Sequence, residues 1–265
     1  MKRLVGMIAA LAPFALGACS DSTAGRLSLA LTSRPANQPA ASSAVQSFGG
    51  PTVSTAGDST VIALGNDTIL VRSIELVLRE IELKRVEVVA CDSVPDNDDC
   101  EEFEAGPVLV SVPLGNVATE TMVSLLAPPG MYNRLEFEIH KPESSDDAAF
   151  IAAHPNFDGV SIRVTGTYSQ AGTRSDFVYT SDLGAEQEVF IDPALTVSDG
   201  VSTNVTLRLD IGLWFVNAGG TALINPATAN KGQPNESVAK DNIQSSIDAF
   251  HDDDRDGHDD DSEHT

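Results

Sequence analysis

Residues 205–215 read VTLRLDIGLWF. Val205, Leu207, Leu209, Ile211, Leu213 and Phe215 fall on every second position, and Thr206, Arg208 and Asp210 fall between them. A period of two is the pattern of a β-strand with one face on a core and the other toward water. The same pattern recurs on both sides of this stretch. Leu135, Phe137 and Ile139 alternate with Glu136, Glu138 and His140, and Val160, Ile162 and Val164 alternate with Ser161 and Arg163. Phe177 with Tyr179, and Val189 with Ile191, predict two shorter strands.

Residues 69–89 change parity. Ile74, Leu76 and Leu78 lie on even positions, Ile81 and Leu83 on odd ones, and Val86 and Val88 on even ones again. A helix competes, because Ile74, Val77, Leu78 and Ile81 also match helical spacing; the density of Val and Ile favours strands interrupted by a bulge or turn. Turn signals stand at Gly65 with Asn66, at Pro128, Pro129 and Gly130, and at Asp199 with Gly200.

Many strands without intervening helices predict an all-β fold, an antiparallel β-sandwich of Ig-like or prealbumin-like type. Its main body is expected over residues 59–233, with a first strand near 25–33. Residues 33–58, rich in Ser, Ala, Pro, Gln and Gly, are expected to form a mobile insert. A short helix is expected over 234–250, where Val238, Ala239, Ile243, Ile247 and Phe250 recur at helical spacing, and an acidic tail over 251–265.

The chain opens on Met1, Lys2 and Arg3, followed by an apolar run from Leu4 to Leu16. That run is too short to span a bilayer, which takes about 20 residues, and fits a secretory leader over 1–18. Leu16, Gly17, Ala18 and Cys19 resemble the lipobox of bacterial lipoproteins, in which the cysteine is acylated and the leader cut just before it. The resemblance implies a lipid on Cys19, and Ser20 rather than an aspartate after it points to the outer membrane.

The formal charge is -23, and loss of Lys2 and Arg3 with the leader makes it two units more negative. Nucleic acid and anionic membrane surfaces are poor partners for this balance, since both recruit Lys and Arg clusters. Of the three cysteines, Cys91 and Cys100 remain once Cys19 carries lipid. In an exported protein a disulfide is the natural expectation. It would close a loop holding Asp92, Asp96, Asp98 and Asp99 and contribute about 2.5–3 kcal/mol on the chain-entropy model. A redox or zinc pair lacks both CxxC spacing and nearby histidines.

The chain also resembles a group of uncharacterised bacterial lipoproteins with a β-sandwich domain of unknown function. The likeness rests on the strand from Leu27 to Thr32 after the lipobox, on the run from Pro128 through Gly130 and Tyr132 to Leu135, and on the run from Leu195 to Asp210. In that family a small residue precedes the tyrosine, where this chain has Met131. The resemblance implies fold and address and no catalytic residues.

No GxSxG elbow, HExxH helix, phosphate-cradling Gly-rich loop or CxxC pair is present. His140 reads as a solvated strand residue. Glu136 and Glu138 share a strand face, as a glycosidase pair would, but such pairs are common in so acidic a chain. Trp214, out of phase with the core set, is expected on the polar face near Arg208 and Asp210, where it would stack on a sugar ring or else cover a strand end. The function expected is a non-enzymatic structural, adhesive or ligand-binding role. The alternative is an exported hydrolase or carbohydrate-binding module.

Residues 252–263 fit the calcium-loop pattern D-x-D-x-D-G-x5-E. Alternate carboxylates converge on a hard cation, and Gly257 permits the sharp turn. The side chains of Asp252, Asp254, Asp256 and Glu263, the His258 carbonyl, and Asp260 through water would be the ligands. A solvated acidic tail satisfies the same composition.

Overall fold

The computed structural model describes residues 25–33, 50–86, 103–105, 107–115, 119–127, 129–198, 200, 202–252, 254–255 and 257. In chain order the strands are β1 (Gly25–Thr32), β2 (Thr52–Ala56), β3 (Ser59–Leu64), β4 (Asp67–Arg85), β5 (Phe103–Ala105), β6 (Val108–Ser111) and β7 (Glu120–Ala127). There follow β8 (Gly130–Ile139), helix α1 (Ala148–Ala153), β9 (Ile162–Gln170), β10 (Thr173–Ser181), β11 (Ala185–Val197) and β12 (Ser202–Leu209). Helix α2 (Glu236–Gln244) and β13 (Ile247–His251) close the described chain.

Two open sheets form, as an all-β sandwich requires. The smaller has the order β13-β12-β1-β7, and the larger is built on β4. β4 runs for 19 residues, a contour of about 60 Å. One of its edges pairs in turn with β3, β6 and β5, and the other with β9 and then β8. Its parity shifts are bulges. The register slips between Val71 and Ser73, and again between Arg79 and Glu82, so Ile69 and Val71, then Ile74, Leu76 and Leu78, then Ile81 and Leu83 all stay on the core. Without those two extra residues each segment would turn its apolar set to water.

The inner faces of both sheets contribute to one core, with Leu27, Leu29, Leu31, Val205 and Leu207 from the small sheet facing the apolar residues of β4, β8 and β9. Gly65 turns β3 into β4 at φ 63°, as its turn signal predicts. β9 and β10 meet at Ala171 and Gly172, both at positive φ, the backbone that matches the twist of a two-residue hairpin.

Several expectations need correction. β12 ends at Leu209, and Ile211–Leu213 form a 3-10 turn. Asp210 accepts the Gly212 N–H at 3.1 Å and starts that turn, which buries Ile211, Trp214 and Phe215 and leaves Leu213 exposed. Residues 52–56, expected within a mobile insert, are strand β2 paired to β3. Residues 247–250, expected as helix, and His251, expected as the start of the tail, are strand β13 paired to β12, so the domain extends past 233. The Ser245–Ser246 turn ends α2 and resets the period from helix to strand. β9 begins at Ile162, because Val160 lies in the turn before it. β1 and β12 run parallel, so the small sheet is mixed. Residues 34–49 of the predicted insert, the Cys91–Cys100 pair, Asp199 and Pro128 lie outside the described residues.

Helix α2 is fastened to the sandwich by charge. Lys240 Nζ donates to Asp182 Oδ1 at 2.6 Å and to Glu236 Oε1 at 2.7 Å, and Lys231 Nζ donates to Asp182 Oδ2 at 2.6 Å. Hydrogen bonds from Lys231 and Lys240 lower the Asp182 pKa from 3.8 to about 2. A folded-state pKa below the unfolded one gives stability that is present above about pH 4 and lost as pH falls toward 2. Asp182→Asn is therefore expected to flatten the drop in melting temperature across that window. An unchanged slope would show that the network does not hold α2.

Candidate functional site

Three regions carry polar groups of interest, and the outer face of the large sheet gathers the most. Strand register aligns β11, β8 and β4 so that Glu186, Glu138 and Arg79 form one row, Glu188, Glu136 and Glu82 the next, and Phe190, Arg134 and Lys84 a third. A shallow cavity of about 230 Å³ opens there, lined by Glu82, Glu136, Phe137, Glu138 and Glu186. Cations interleave with the carboxylates. Lys84 Nζ lies 2.5 Å from Glu136, Arg134 bridges Glu136 at 3.6 Å and Glu188 at 3.5 Å, and His140 Nδ1 lies 2.8 Å from Glu138 Oε1. The Arg134 guanidinium sits over the exposed Phe190 ring at 5.5 Å. Carboxylates, cations and one aromatic face on an open surface are suited to hold a hydroxyl-rich or zwitterionic ligand through hydrogen bonds and stacking. Sequence reasoning found Glu136, Glu138 and His140 but missed Glu82 and Glu186, which only the register brings beside them.

The group Trp214, Arg208 and Asp210 does not form a surface site. Trp214 is 1% exposed and its indole N–H donates to Ser246 Oγ at 2.8 Å. Asn242 of α2 closes over it, donating to the carbonyls of Leu213, Trp214 and Val216. A ring in this position packs under a helix and cannot stack on a sugar. Phe215 beside it meets Tyr179 edge-on, with ring centroids 5.1 Å apart. Arg208 pairs with Asp248 across β12 and β13 and lies over the Phe250 ring at 4.7 Å. Burial pushes the Asp210 carboxyl above its ordinary pKa, against the opposing effects of the Gly212 N–H and Arg208.

The third region is the segment after β13. Asp252 is fully buried, and its Oδ2 accepts the Thr206 hydroxyl at 2.6 Å and the Gly257 N–H at 3.2 Å. Gly257 has φ 85°. Arg255 donates to Asn204 Oδ1 through Nη2 at 2.6 Å and Nε at 3.0 Å, and its carbonyl accepts the Thr119 hydroxyl. The segment thus straps the outer face of the small sheet, where Ser28, Thr32, Asn204 and Thr206 are buried despite being polar. Asp254 is exposed. Asp256, His258, Asp260 and Glu263 lie outside the described residues, as does Cys19. Among the described residues no three His, Cys, Asp or Glu side chains are grouped around a metal position, and no helix is long and apolar enough to cross a membrane. Compared with protein-family models, curated proteins and solved structures, the chain matches none.

Proposed function

We propose that this chain is an exported lipoprotein of the bacterial envelope, anchored by acyl chains on Cys19 to the outer membrane, with a non-enzymatic structural, adhesive or ligand-binding role. The observation that carries the proposal is the string LGAC at 16–19, behind a charged and then apolar leader and just ahead of Gly25, where β1 opens. The residues from Cys19 to Gly25 span at most about 20 Å when extended, so the sandwich would begin at the membrane surface. Two acyl chains hold far more firmly than one, each buried methylene adding about 0.8 kcal/mol. The ion-paired carboxylate face on β4, β8 and β11 supports binding rather than turnover as the role of the open surface. Cys19→Ala is expected to abolish membrane association while leaving export intact, read by fractionation of cells. A variant still found in the membrane fraction after export refutes the anchor. Hydrolysis of pooled ester, peptide or glycoside substrates by the purified protein, lost in Glu136→Gln, would overturn the non-enzymatic role.

A second reading, calcium binding by the loop from Asp252, is favoured by one observation. The first-position carboxylate accepts the sixth-position N–H, and the glycine there adopts the positive φ that a sharp calcium-loop turn needs.

A further inference from the structure

We infer that the end of the sandwich where β1 begins docks on the lipid surface, with Met131 and Phe190 as its apolar contacts. The inference rests on the lipoprotein reading and goes beyond it by assigning an orientation. Gly25 pairs with Ala127, the last residue of β7, and Gly130 opens β8 three residues later. Gly130 in turn pairs with Val197, the last residue of β11, and Arg85, the last residue of β4, pairs with Tyr132. The start of β1, the end of β7, the start of β8 and the ends of β4 and β11 therefore share one end of the molecule.

That end also carries exposed apolar surface. Met131, 53% exposed, stands at that end, and Phe190, 67% exposed, lies one strand over on the same outer face, level with Arg134 and so about 13 Å along β8 from Gly130. Single exposed apolar residues are ordinary on protein surfaces. These two are set apart by their neighbours and their place. Arg134 lies against Phe190, and at the start of β8 Arg85 stands over the buried Tyr132 ring at 5.7 Å, on the face of the strand opposite Met131, and donates to the Pro129 carbonyl. Aromatic and apolar side chains backed by snorkelling Arg are the composition that settles at a membrane interface. The occupant follows from the tether. Acylation of Cys19 would bring this end within about 20 Å of the bilayer, whereas Val178, exposed on β10, belongs to the far half of β4 through its pairing with β9.

The test uses the full acylated chain reconstituted into phosphatidylcholine vesicles with brominated acyl chains, which quench tryptophan on contact. Met131→Trp, Phe190→Trp and Val178→Trp are compared, and the buried Trp214 supplies a constant background. Loss of the added emission at 131 and 190, with none at 178, is the expected result. Vesicle-bound protein with no quenching at 131 and 190, or with equal quenching at all three positions, overturns the docking face; dimer formation in the unquenched case assigns the patch to a second copy. Protein that melts normally yet does not float with the vesicles overturns the lipoprotein reading itself.

Discussion

Trp214→Ala is expected to remove about 3–5 kcal/mol of stability, the range for truncating a large buried aromatic. Against the 5–15 kcal/mol typical of a folded domain, that is about a fifth of the total or more. The indole is enclosed by the 3-10 turn after β12, by Asn242 of α2 and by the core that holds Phe215. Its removal leaves a cavity at the joint between helix and sheets. Ser246 Oγ retains its bond to the Ile243 carbonyl at 2.7 Å, so the loss is chiefly one of packing. Trp214→Phe keeps most of the ring and forgoes one hydrogen bond, which is worth about 1 kcal/mol. Urea unfolding followed by circular dichroism reads both variants, since this is the only tryptophan. A native midpoint for Trp214→Ala, with loss of glycan binding, would return the residue to a ligand-contacting role.

Asp252→Ala is expected to cost about 3 kcal/mol, because hydrogen bonds to a charged group are worth about 1.5–3 kcal/mol and two named donors lose their acceptor. The Thr206 hydroxyl and the Gly257 N–H would both be left beneath the strap. Asp252→Asn should cost less, since one amide oxygen can still accept. Melting temperature measures the stability, and calorimetry on the full chain separates it from calcium. A calcium loop gives saturable heat near 0.1–1 mM, in the extracellular range, and loses it in Asp254→Ala and Gly257→Val. No saturable heat at millimolar calcium leaves Asp252 as a structural carboxylate alone.

The legible parts of the fold were those set by local period. β4 was readable as a bulged strand because the change of parity between Leu78 and Ile81 marks an extra residue in the chain. Local period also misled. From Ile211 to Phe215 the alternation continues through a 3-10 turn, and the cue against a strand was Asp210 two residues before Gly212, at which an added Cβ would lie 2.8 Å from Val53 Cγ2. Ile247 and Phe250 fit the helical spacing of α2 even though Ser245 and Ser246 had already ended the helix. The carboxylate face was legible one strand at a time. Which Glu lies beside which depends on pairing between segments far apart in sequence, and the period of one strand does not say which strand it pairs with.

The parallel pairing of β1 with β12 bears on how the molecule assembles. Arg26 lies beside Ser202 and Leu31 beside Leu207, so the strand made first closes against one made near the end. Contacts of such separation carry a large loop-closure entropy and slow folding. β1 is also an interior strand of its sheet, between β12 and β7. A nascent chain therefore leaves its first strand unpaired on the β12 side until translation has passed residue 208. Export in the unfolded state, as the proposed function requires, would benefit from this delay, because β1 would stay extended and unpaired on that side until the remainder had followed.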